Sequence, residues 1–248
     1  MLAIAALVPE TALLVPGAAG RAVVLEDVRA AAVAAVREVV GAAPDRVVVV
    51  APGPVDRTLT GPVCPSLAAA GIDGAGLGWT APDVESHLAP GTAVPAVGAS
   101  VGLLLLAQGG WAGPVTVVEV ASSMDDGARA DDLRAFGADL AAGSDRVALL
   151  VAGSLSARHG PDAPCADDDR AQPLDAAALA ELAHGDPPAR WRLGEIPGSL
   201  ATELVVTAWA PLQVLLGAAG AATTFEAGVR HASAPFGVMY AVAVWRAR

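Results

Sequence analysis

Four stretches of this chain are predominantly apolar runs bounded by turn residues: Leu2–Val8, Arg46–Ala51, Val115–Val120 and Arg146–Ala152. Short valine-rich runs without polar alternation predict strands covered on both faces. Between them the period changes. Glu26 to Val40 sets Val28, Val33, Val36 and Val40 near one face, and Asp131 to Ala141 sets Leu133, Phe136 and Leu140 at helical spacing. A helix is predicted over Leu174 to His184, with Asp175 near its start and Gly185 past its end. Another is predicted over Ser199 to Leu216, kinked or divided at Pro211. Ala221–Arg230 and Phe236–Trp245 read as closing strands. The fold class that follows is α/β, a single-domain sandwich over residues 1–248 with a central mixed, largely parallel sheet flanked by helices.

Composition narrows the partners. A hydrophobic content of 54% supplies a large core, and a net charge of −11 with no basic cluster argues against nucleic acid. Two uncharged stretches, 88–118 and 204–224, are broken by prolines and glycines and read as buried helices and strands, so no membrane is expected. The apolar N-terminus has no basic residue before Arg21 and reads as a first strand, and a cytoplasmic location is the expectation. Cys64 and Cys165 are too few and too distant to form a disulfide framework or zinc knuckle, and read as reduced thiols.

Several segments carry a family resemblance. Leu149 to Pro164, LLVAGSLSARHGPDAP, resembles a strand leading into a Gly-Asp-Leu-Ser-His turn and a Pro-Asp-Ala-Pro run. Leu7 to Pro16 resembles a first strand ending in Pro-His-Pro-Pro, and Asp45 to Pro54 a second ending in Ser-Pro-His-Gly. Ala210 to Ala218 and Ala234 to Tyr240 resemble a last helix and a final strand. Taken in order, these resemble the class III extradiol ring-cleavage dioxygenases of the catalytic B-subunit type.

That resemblance implies a non-heme Fe(II) centre with two imidazoles, one carboxylate and open positions for a catecholate and O₂. It also implies an acid/base histidine. At the matching positions this chain has Glu10 for the first histidine ligand, Gly53 for the second, Ser233 or its neighbour for the carboxylate, and Ala157 for the acid/base histidine. None of the four groups is retained. The reaction therefore does not transfer with the fold. The expectation is a pseudoenzyme: a small-molecule-binding or scaffold protein without a cofactor, whose old cleft is lined by Glu10, Gly53, Ser154, Ser156, His159, His231 and Ser233. Self-association into a homo-oligomer is implied by the resemblance.

The alternative is a divergent ring-opening or other metal-dependent enzyme with a relocated site. His159 lies two residues after Ala157, and His231 two before Ser233, so with Glu10 they supply two imidazoles and a carboxylate for Fe(II) or another divalent metal, His159 also being the candidate catalytic group. The bland readings are a solvated loop for His159 and a strand end for His231; His87 and His184 read as surface residues. A hydrolytic triad from Ser154 or Ser156, His159 and Asp162 ranks lower, because no Gly-x-Ser-x-Gly elbow is present. Asp167 to Asp169 lacks the pattern of a calcium loop and reads as solvated. Gly71 to Gly78 lacks the strand and helix of a dinucleotide turn.

Overall fold

The computed structural model describes residues 1–74, 77–79, 92–122, 126–221 and 223–248. Seven strands form one sheet: β1 (Leu2–Val8), β2 (Arg46–Pro52), β3 (Arg57–Leu59), β4 (Val115–Val120), β5 (Val147–Ala152), β6 (Phe225–Ser233) and β7 (Tyr240–Ala247). Their order is β3-β4-β2-β5-β1-β7-β6. The central strands β4, β2, β5 and β1 are mutually parallel, while β3 on one side and β7 and β6 on the other run antiparallel to their neighbours.

Strict alternation divides the sheet's side chains between two cores. Val48, Val50, Leu149 and Val151 point to one face, against α3 (Asp126–Leu140), α4 (Ala171–His184) and α7 (Trp209–Ala219). Val47, Val49, Ala148 and Leu150 point to the other, against α1 (Glu26–Gly41) and α2 (Val97–Gly109). Cover on both faces is the physical reason these strands read as unbroken apolar runs. Two short helices, α5 (Pro187–Gly194) and α6 (Gly198–Glu203), bridge α4 and α7. Among the described residues no helix is long and apolar enough to cross a membrane.

The helix expected over Ser199 to Leu216 is two helices, and Pro211 does not divide them. The break falls at Leu204 to Ala208, where Val205 adopts φ 57°. Pro211 lies in the first turn of α7, where its missing N–H leaves no intrahelical bond unmade. The closing strands are shifted toward the C-terminus relative to expectation, because Pro235 to Gly237 forms a 3-10 turn with Phe236 at φ 57°. Helix α3 begins at Asp126, ahead of the expected Asp131. Residues 75–76 of the glycine-rich segment and His87 lie outside the described residues.

Candidate functional site

Strands β1 and β5 are adjacent and parallel, so the residues just past their ends, Glu10 and Ser154, emerge side by side at the carboxyl edge of the sheet, where open α/β folds place their ligands. Ser154 Oγ donates to Glu10 Oε2 at 2.6 Å, and Thr207 Oγ1, from the turn between α6 and α7, donates to Glu10 Oε1 at 2.6 Å. The Ser154 amide donates in turn to Thr207 Oγ1 at 2.9 Å. Three segments distant in sequence are thereby fastened around one carboxylate. The cleft beside it, of about 350 Å³, is walled by Ala12, Ala70, Val97, Val205 and Val238, with Thr11 and the Tyr240 phenol at its polar end. Burial pushes the Tyr240 phenol up; hydrogen bonding with Thr11 pulls it back, and the nearby Glu10 charge raises it further.

Helix α2 approaches this edge closely because it begins with small residues. A Cβ at Gly98 would stand 3.0 Å from Glu10 Cβ, so glycine lets the helix start against Glu10 and Pro52. The first residue ahead of that helix, Ala96, has no capping side chain of its own. Its amide donates to Glu119 Oε1 at 2.7 Å, which puts a carboxylate at the positive end of α2. Glu119 is fully buried and also receives Arg57 through Nε at 2.6 Å and Nη2 at 3.0 Å. Its side chain occupies the space in front of Gly53, where a Cβ would lie 2.7 Å from Glu119 Cβ.

Ser156 and His159 turn to the opposite side of the β5 loop. Asp175 is fully buried on α4 and is no helix cap: Oδ1 accepts the Ser156 amide at 3.0 Å, and Oδ2 accepts the Ser156 hydroxyl and meets His159 Nε2, each at 2.5 Å. The carboxylate stands between serine and imidazole. The Ser156 hydroxyl thus donates its hydrogen bond to Asp175 and not to His159, unlike the arrangement in which a histidine activates a serine. Ser154, whose hydroxyl goes to Glu10, is not part of this cluster. The loop is further pinned by backbone pairs from Leu155 to Met239, Ala157 to Leu204 and His159 to Gly237.

His231 and Ser233 are bonded to each other, Nε2 to Oγ at 2.7 Å, and line a separate hollow with Val23 to Val28, Pro235 and Phe236. Of the expected cleft residues, the fold therefore brings Glu10 and Ser154 together. Ser156 and His159 go to Asp175, His231 and Ser233 go to the second hollow, and Gly53 faces Glu119. Glu10, His159 and His231 each have a different partner, and among the described residues no three His, Cys, Asp or Glu side chains gather as a set that would hold a metal ion. His184 is bonded to the Ala180 carbonyl on the surface of α4. Asp167 caps the Gly160 amide, and Arg170 holds the Asp168 carboxyl down at about 2.

Sequence reading missed Glu119, Asp175 as a buried acceptor, Thr207 and Tyr240. Glu119 had a visible signal, a lone acid inside the valine run VTVVEV. Buried charges occur where a partner awaits them. Thr207 and Tyr240 had none, since their roles come only from long-range packing.

The chain matches no protein-family model and no curated protein. Among solved structures it is similar to the uncharacterized protein JW3007 from Escherichia coli K12, with a TM-score of 0.53 and 16% identity over 98% of this chain and 99% of that one. Likeness at that identity is likeness of fold.

Proposed function

We propose that this chain is a class III extradiol dioxygenase-like protein without Fe(II) ring-cleavage activity, and that it binds a small molecule in the cleft at Glu10. The observation that carries this reading is the makeup of that cleft. Glu10 is the one acidic or imidazole side chain among its described lining residues, and serine and threonine hydroxyls hold both of its oxygens. A facial iron site needs two imidazoles beside its carboxylate. The residues present do not fit that group: Gly53 offers no donor, and Glu119, held by Arg57 and the Ala96 amide, fills the space in front of it. The volume of about 350 Å³ and the mixture of apolar walls with a few convergent polar groups suit a single-ring ligand.

The test uses catechol, benzyl alcohol and benzylamine as probes of the purified chain. Methyl NMR is expected to show shifts at Val97, Val205 and Val238 with at least one probe, and anaerobic Fe(II) loading followed by catechol and O₂ is expected to give no ring-fission product. Ring fission at stoichiometric iron, or undisturbed methyls with all three probes, would overturn the proposal.

A further inference from the structure

We infer that the ligand of this cleft is an organic cation, a primary ammonium on a compact apolar body, with Glu10 as its counter-ion. The inference rests on the small-molecule reading above and names the chemistry of the ligand.

Its basis is a difference among the carboxylates built around the strand ends. Glu119 has Arg57, and Asp56 has Arg129 through both of its oxygens. Glu10 is half-buried, and among the described residues no cationic side chain pairs with it. Ser154 and Thr207 orient its carboxylate but bring no charge. A carboxylate has about four lone-pair sites, of which the two hydroxyls take two, leaving acceptor capacity on the same group. A primary ammonium has three N–H donors and the missing charge.

The surroundings favour such a guest over its competitors. Ala12, Ala70, Val97, Val205 and Val238 wall the cleft with aliphatic surface, which lowers the local dielectric and strengthens a charge pair formed inside it. A carboxylate-bearing ligand would meet Glu10 and a chain of net charge −11. A neutral alcohol would satisfy the lone pairs and leave the charge unmatched. The hydroxyls make the site specific as well as charged, because they fix both oxygens before any ligand arrives and so reduce the ordering cost of binding.

Isothermal titration at neutral pH with benzylamine, benzyl alcohol and benzoate separates the possibilities. The expected result is benzylamine tighter than benzyl alcohol by about tenfold or more, an affinity difference that one unmatched charge readily produces. Benzoate is expected to be weakest. Glu10→Gln should bring the amine to within about twofold of the alcohol, while Glu10→Asp, which keeps the charge and serves as the folding control, should retain a preference for the amine. If the alcohol binds the wild-type chain as tightly as the amine, or Glu10→Gln leaves the preference intact, the cation assignment is overturned and the small-molecule reading stands. If none of the three binds, the cation assignment is overturned, and the small-molecule reading falls with it when catechol also leaves the cleft methyls undisturbed.

Discussion

Glu119 stands where a side chain at Gly53 would have to be: a Cβ on Gly53 would lie 2.7 Å from Glu119 Cβ and 3.1 Å from Oε2. The carboxylate has no room to swing aside, because it is fully buried and fastened by Arg57 and by the amide that opens α2. The glycine at position 53 and the acid on β4 are thus one structural feature. The missing side chain at position 53 is packing space for an ion pair.

Adding a side chain at position 53 should therefore be costly in proportion to its size. Gly53→Ala should destabilise the fold by about 1–3 kcal/mol, as overpacking does, and Gly53→His by more. Glu119→Ala alone should also destabilise, by roughly 1–3 kcal/mol, because it leaves the Ala96 amide and Arg57 without their acceptor. In the double variant Gly53→Ala/Glu119→Ala the two losses should be far from additive, since removing Glu119 opens the space that alanine needs. Urea midpoints for the four chains complete the cycle. Strict additivity would show that the two positions do not compete for space.

The fold was legible because its dominant signal is local. Leu2–Val8, Val115–Val120 and the greater part of β2 and β5 announce themselves by apolar runs that need no partner to be recognised. The break between α6 and α7 was not legible. Pro211 drew attention as a breaker, yet the chain turns at Val205, a β-branched residue in the left-handed region that tertiary packing holds against its own preference. The site was half legible for a similar reason. Glu10 and Ser154 follow directly from the ends of adjacent strands. The route of Ser156 and His159 to Asp175 depends on where α4 docks, and two-residue spacing along a loop does not keep side chains on one side as it does in a strand.

Asp175 is the anchor of the β5 loop, and its removal should loosen that loop before anything else. Asp175→Ala leaves the Ser156 amide and hydroxyl buried without an acceptor, at a cost of roughly 1–3 kcal/mol for each group that water does not reach. Asp175→Asn keeps the volume and one carbonyl acceptor and should cost less. Amide hydrogen exchange resolves the effect: in the alanine variant, protection at Ser156 and Ala157 should fall by more than it does at Leu149 and Leu150 within the sheet. A uniform fall across loop and sheet would mean that Asp175 supports the whole fold and has no particular hold on the loop.

Tyr240 is the chain's single tyrosine, so phenolate absorbance reports the polar end of the cleft without interference from another residue of its kind. Burial is the main reason its ionisation is displaced upward, and the Glu10 charge adds to the displacement. Titration of the folded protein should place the midpoint above the ordinary value of about 10, and Glu10→Gln should bring it partway down. The direction of the stability effect follows. A proton held more tightly in the folded chain than in the unfolded one contributes stability that is complete below the unfolded value, and that stability is lost as pH climbs through the folded one. Tyr240→Phe should accordingly flatten the fall in urea midpoint above pH of about 10. A wild-type midpoint at or below the free-tyrosine value, or one indifferent to Glu10→Gln, would separate the phenol from the carboxylate and show that the two do not share a cleft.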